Sequence, residues 1–467
     1  MCMIFHVFMR SRPHIENRPV MRMIDSFPDD CSSRLRFRTT LFLELGTAFV
    51  ICTSNLPAEE RHVPSQNVEV NRMHQVGYLV VTPRGPQDGG DFGPHTPGTR
   101  TSGLQEAFDR AKVTTQDVFI AGGNLTFDEN QGVVYFLQET LRIPWMQDFR
   151  LDGGEYVIQY VPEKGDAIVM DSQMSCHYKF GIISCNSDGA ALHIQPSAAG
   201  PDRFQVFTTT SIHINALVGG GGSWKGGEAF DNELDPEHDW RGTGLWLDGT
   251  QGSLNDNRIT VMEVVGCRTA LLLAGRCSNN WIDAPFLHLS RTHLQLGTPD
   301  DHAHVTNNRI RAAMDGQGIA DAIGARIYGT ENLLELSAAQ TSPGHDLVFE
   351  KPSHDNLVIA GRLPNGVTNH ADHPTDRIIT ARSKGFSITT PPLPQSGQAL
   401  TNRQNTSIEI MITQPGTVTT WTLGDIEGNV QTFDGPLDPG QSIRLAPGET
   451  IQLEYTKAPL WRWRSAP

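Results

Sequence analysis

The stretch DNELDPEHDW, residues 231–240, puts carboxylates on alternate positions, Asp231, Glu233, Asp235, Glu237 and Asp239, and adds His238 and Trp240. Three kinds of chemistry fit such a set. Two carboxylates flanking a glycosidic bond cleave it, one as acid and the other as base or nucleophile. Glu233, Glu237 and Asp239 are candidates for one side of such a pair, with His238 able to replace one of them. In the second, Asp231, Glu233 and Asp235 are oxygen ligands for Ca²⁺. The EF-hand pattern itself fails, because Pro236 stands at the glycine position and Gly242 at that of the bidentate glutamate, so any calcium site has another geometry. In the third, the run is a solvated acidic rim with no chemistry.

What positions this stretch is a repeat. An asparagine, an outward residue and an aliphatic recur at Asn257, Asn280, Asn308, Asn332 and Asn356, at spacings of 23, 28, 24 and 24. Between them runs a second phrase, GLWLDG from Gly244, ALLLAG from Ala270 and HLQLG from His293, each a short alternating strand ended by glycine. Two strands and two turns per unit predict a solenoid whose coils bury aliphatics against their neighbours. A leucine-rich repeat would show its own asparagine signature and a propeller a period of about 40 residues. The recurrent asparagine is expected to stack as a ladder at a turn, bonding backbone groups and tolerating left-handed geometry.

The ladder also places side chains. Alternate residues after each asparagine face outward. One outer column therefore holds Arg258, Trp281, Arg309 and Leu333, and a second holds Thr260, Asp283, Arg311 and Glu335, with His213 and Asn215 one coil earlier. Neighbouring coils lie about 4.8 Å apart, so members of a column touch. A sugar can stack on Trp281 and have its carboxylates met by arginine forks, with Arg258, Arg309 and Trp240 as further substrate contacts. Asp283 is the face's candidate catalytic carboxylate. Equally, opposite charges on adjacent strands stabilise a sheet by about 0.2–1 kcal/mol each without any ligand. The acidic stretch belongs to GGGGSWKGGEAFDNELDPEHDWRG, residues 219–242, inserted between SIHINALV and GLWLDG. The glycines at its root are expected to let it fold back over Trp281 and Asp283.

The entry to the repeat reads DGGDFGPHTPGTRTSGLQEAFDRAK, then DVFIAGGNLTF and LQETLRIPWMQDFRLDGGEYVI. Leu104, Ala107, Phe108 and Ala111 form a helical stripe, with Ser102 a suitable N-cap. This opening resembles the pectate-lyase-like superfamily over roughly residues 88–395. The resemblance implies an all-β fold, a right-handed parallel β-helix with an N-terminal capping helix, and carbohydrate-active relatives that are lyases, hydrolases or non-catalytic adhesins. It also implies, for a lyase, Ca²⁺ neutralising a uronate while an arginine or lysine removes a proton, with Arg241, Arg258, Arg309 and Arg311 as candidates. The chain departs from the pattern in carrying Thr101 and Ser102 where many relatives have paired acids, and it lacks the paired aspartates of polygalacturonase-like hydrolases.

From Thr401 the strands alternate between Pro-Gly and Gly-Glu turns, as in a small antiparallel β module, and TTPPLPQSG, residues 389–397, reads as a linker. The expected organisation is an N-terminal extension with a signal sequence (1–58), the β-helix (59–395) and the module (396–467). The module is open to capping, sugar binding through Trp421, Trp461 and Trp463, or homo-oligomer assembly. Residues 33–54, arginines followed by an apolar run, predict export to the periplasm, cell surface or medium. No later run is long enough for stable membrane insertion. The net charge of −15 argues against nucleic acid as partner and leaves an acidic polysaccharide only a local basic patch. Cys176, Cys185, Cys267 and Cys277 are compatible with two disulfides or with buried thiols, and fit no CxxC metal site. His288, HADHP (370–374) and DDHAH (300–304) lack partner sets in the sequence, and GGGG at Gly219 lacks the Lys-Ser/Thr of a phosphate loop. The residues alone leave lyase, hydrolase and binding protein all open.

Overall fold

The computed structural model describes residues 64–122, 133–197, 205–219, 240–316, 319, 321–341, 344–361, 363–380 and 388–466. The expected signal sequence and the acidic positions 231–239 lie outside them. All the described residues but Pro64 and Ser65 belong to one compact unit, Gln66–Pro467.

Along the chain, strands alternate between two long parallel sheets. Arg258–Val261, Trp281–His288, Arg309–Gly316, Leu333–Thr341, Leu357–Ala360 and Arg377–Thr380 are successive neighbours in the first sheet. Thr269–Ser278, Thr292–Leu296, Ile323–Ile327, His345–Phe349 and Val367–Asn369 are successive neighbours in the second. A chain that visits two sheets in turn, pairing each strand in parallel with the one a full turn earlier, is a parallel β-helix. The interior is built from the same register. Ile259, Ile282, Ile310, Leu334, Val358 and Ile378 form one buried column. Leu245, Leu271, Leu294, Ala325 and Leu347 form its counterpart. Each side chain removed from water there contributes about 1.5–3 kcal/mol, and the stack is continuous from Leu79 to Ile378.

The asparagine ladder forms. Each Nδ2 donates to the next coil's Oδ1, from Asn257 through Asn280, Asn308 and Asn332 to Asn356, at 2.9–3.1 Å. From Asn280 onward each Oδ1 also accepts the backbone N–H of the preceding ladder residue, and that of Asn257 accepts the N–H of Thr210. Such a chain of donors needs an acceptor at its end. Asp376 supplies it, taking both the side-chain and backbone N–H of Asn356. One expectation is corrected: the left-handed residue is the one before each ladder asparagine, Asp256, Asn279, Asn307, Glu331 and Asp355, with φ between 55 and 60°. That residue makes the bend between sheets, which frees the asparagine to point inward and bond.

The helix Leu104–Thr114 buries Leu104, Ala107, Phe108 and Ala111 as its stripe predicts. Its Gln105 side chain bonds both backbone groups of Arg142 in the strand Leu141–Ile143, at one end of the second sheet. Ser102 is not its N-cap. With φ at 54° it turns away and donates to the carbonyl of Phe136, while Thr101 Oγ1 accepts the N–H of Gln105 in its place. After Ala399 the strands are antiparallel, in one sheet of four and one of three, around Ile408, Ile410, Ile412, Ile451, Leu453 and Trp463. Asn405 joins this part to the last coil, accepting from Ile378 N–H through its backbone carbonyl and donating from Nδ2 to the carbonyl of Asp376.

Candidate functional site on the outer face of the first sheet

The outer columns have the register expected from the repeat. Ser211, Arg258, Trp281, Arg309, Leu333 and Leu357 are successive partners, as are Lys179, His213, Thr260, Asp283, Arg311 and Glu335. Trp281 is 46 % exposed. Guanidinium groups approach its ring from the coils on either side, Arg309 at 4.4 Å and Arg258 at 5.7 Å from the centroid. Arg309 also donates to Glu335 Oε1 from Nε and Nη2, at 3.0 and 2.5 Å. Arg258, Trp281, Arg309 and Glu335 are thus one strip connected by cation–π and ion-pair contacts. The side chains of Asp283, half-buried, and Arg311, exposed, carry no hydrogen bond or ion pair to any described residue. Lys179, Arg258, Arg309 and Arg311 outnumber Asp283 and Glu335, so this face is locally cationic on an acidic chain.

The insertion leaves the sheet at the other end of the strands. Gly219 N–H bonds Val265 O, and Val265 is the register partner of His288, not of Trp281. From Asp283 to His288 is five residues, roughly 16 Å along a strand. Beside the insertion's root His288 Nε2 meets Glu263 Oε1 at 2.9 Å, which gives this histidine a partner that the sequence did not show. Trp240, at the insertion's far end, is 4 % exposed and packs with Ile319, Ala322 and Leu289. The expectation that it lines a sugar subsite is therefore corrected: its ring anchors the returning chain. Glu233, Glu237, His238 and Asp239 are outside the described residues, as are the expected metal ligands Asp231, Glu233 and Asp235. Among the described residues no three His, Cys, Asp or Glu side chains are grouped to hold a metal ion.

A second polar constellation, with no signature in the repeat, sits on the second sheet. His193 Nδ1 lies 2.9 Å from Asp166 Oδ2, and its Nε2 lies 3.2 Å from Asp248 Oδ2. Trp246 stacks on the imidazole at 4.1 Å and 2°, Gln195 Nε2 donates to Asp248 Oδ2, and Thr250 donates twice to Asp248 Oδ1. Burial alone would favour the neutral imidazole, but the two carboxylates outweigh it and raise the His193 pKa. Burial would likewise raise Asp248, yet hydrogen bonds from His193 and Thr250 hold it down to about 2. At 5 % exposure His193 is out of a substrate's reach. The cluster ties three coils together electrostatically.

The four described cysteines are buried free thiols, so the disulfide alternative falls. Among the described residues no helix is long and apolar enough to cross a membrane. No family model and no curated protein matches the sequence. Among solved structures, the chain is similar to a mutant of the tailspike protein of E. coli bacteriophage HK620 in complex with a pentasaccharide, at TM-score 0.21 and 7% identity, over 80% of this chain and 91% of that one. It is also similar to a double mutant of the same tailspike, at TM-score 0.18 and 8% identity, with the same coverage. Scores this low carry no argument about function, and the β-helix assignment stands on the strand register.

Proposed function

We propose that this is an exported carbohydrate-active protein that holds an extended polysaccharide with anionic groups along the outer face of the first sheet. The observation that carries the reading is the Arg258–Trp281–Arg309 strip beside Arg311, a cationic and aromatic surface open to solvent on a chain of net charge −15. Parallel coils repeat these groups about every 4.8 Å, which suits a polymer lying across them. Arginine forks pair with carboxylates, and an exposed indole edge offers apolar contact to a sugar ring. The same reading places the chain in the pectate-lyase-like superfamily, with the right-handed coil that parallel crossovers almost always take. The helix Leu104–Thr114 and the antiparallel C-terminal part serve as its end caps.

Cleavage is the finer part of the proposal. The side chain of Asp283 has no partner among the described residues and is the candidate acid, and Arg311 beside it can meet a uronate or, in a lyase, act as the base. Hydrolysis needs a second acid across the bond. Glu233, Glu237, His238 or Asp239 would supply it from the insertion, and Asp231, Glu233 and Asp235 would hold Ca²⁺ if a metal takes part.

The test is a panel of neutral and acidic polysaccharides, followed by equilibrium binding, by the ultraviolet absorbance of an unsaturated uronate and by new reducing ends. Binding to acidic polymers that weakens at high salt and in Arg311→Ala is the expected result. New absorbance identifies a lyase, reducing ends alone a hydrolase, and binding with neither signal a non-catalytic protein. Absence of binding to every polymer sinks the reading.

A further inference from the structure

The proline-rich segment before the C-terminal sheets is not a free tether. Trp461 Nε1 donates to the carbonyl of Pro391 at 3.2 Å, and the Tyr455 hydroxyl donates to the carbonyl of Pro394 at 2.7 Å. The flanks are held as well: Trp463 N–H bonds Thr390 Oγ1 and Tyr455 N–H bonds Ser396 Oγ. Ile388 and Leu393 pack against the module's core together with Tyr455 and Trp461.

The spacing of the two bonded carbonyls fits one turn of a polyproline II helix. A polyproline II helix has three residues per turn and no internal hydrogen bonds, so carbonyls at i and i+3 face the same way and are unsatisfied. Pro391 and Pro394 are three apart, and prolines at 391, 392 and 394 preset the required φ. Ring N–H and O–H donors on an aromatic surface, reaching those carbonyls, are how proline-rich segments are recognised in general. We propose that Tyr455 and Trp461 form a binding site for proline-rich segments, and that the chain's own residues 388–396 occupy it in cis. Tethering at an effective concentration of about millimolar keeps ordinary trans ligands out. The site takes a proline-rich segment of a partner when the cis segment yields.

The experiment uses the full chain and a labelled peptide with the sequence of residues 388–396. The receptors are the wild-type chain and the variant Pro391→Ser, Leu393→Ser, Pro394→Ser, which weakens the cis ligand. Saturable binding at least about 10-fold tighter to the variant is expected. That gain is lost when Trp461→Ala is added, and it is not seen with a peptide whose prolines are replaced by serine. A folded variant that binds no better than wild type, or that binds the proline-free peptide equally, overturns the proposal. Should the triple variant not fold, the single Leu393→Ser chain replaces it. It must show a smaller gain in the same direction, and no gain overturns the proposal. Polysaccharide binding is expected to be unchanged in the variant Pro391→Ser, Leu393→Ser, Pro394→Ser, so this site and the face of the first sheet fail or stand separately.

Discussion

On the first sheet Trp281 stands between the guanidinium groups of Arg258 and Arg309, nearly half exposed, with Asp283 and Arg311 unpaired among the described residues in the next column. On the second sheet Trp246 lies flat on His193, whose two nitrogens are taken by Asp166 and Asp248. Both constellations set an aromatic ring, cations and carboxylates on neighbouring coils. They differ in access and in how far their charged groups are paired. In the sealed set each ring nitrogen of His193 meets a carboxylate, and the charge serves the fold. In the open set the hydrogen-bonding capacity of Asp283 and Arg311 is left over, and unspent polar groups on a rigid surface are what a ligand can use.

Breaking the sealed set should have the largest effect. His193→Ala leaves two carboxylates facing each other without their shared partner, and is expected to destabilise the fold by about 3–5 kcal/mol in denaturant titration, with polysaccharide binding at the folded variant unchanged. An effect under about 1 kcal/mol would mean that the cluster does not lock the coils.

The second effect follows from charge. The raised pKa of His193 stabilises below its ordinary value near 6.5, and this is lost as pH rises through the higher folded value. The depressed pKa of Asp248 stabilises above about 3.8 and is lost as pH falls through about 2. The stability gap between wild type and His193→Gln should therefore be widest between about pH 4 and 6.5, and narrow on either side of that window. A gap constant from acid to alkaline pH would contradict the assignment of charge.

The open set should respond least in stability and most in binding. Trp281→Ala is expected to cost about 1 kcal/mol or less in unfolding, the loss of two partly exposed cation–π contacts, while weakening polysaccharide binding. A loss above about 3 kcal/mol with binding intact would reverse the comparison and make this face the structural one.

Much of this was legible in the residues. The spacing of Asn257, Asn280, Asn308, Asn332 and Asn356 was enough to place Arg258, Trp281 and Arg309 in one column, because parallel coils in register repeat a sequence offset as a spatial neighbour. The sealed cluster carried no such signal. Asp166 and Asp248 are 27 and 55 residues from His193, in different phrases of the repeat, and only the turn of the coil brings them together. Trp240 looked like a surface aromatic because it follows five acids. Its burial depends on Ile319 and Ala322, about 80 residues on. The segment 389–397 had the composition of a linker, which says nothing of whether an aromatic surface will hold it.

By itself the sequence determined the period, the ladder and which side chains face out, since these follow from a strand's alternation and a coil's near-constant length. The tertiary structure alone decided which outward groups are sealed and which are left open. That depends on contacts between side chains one and two coils apart, on the end of the strand from which an insertion leaves, and on the water each contact excludes, and none of these is a property of a local stretch of chain.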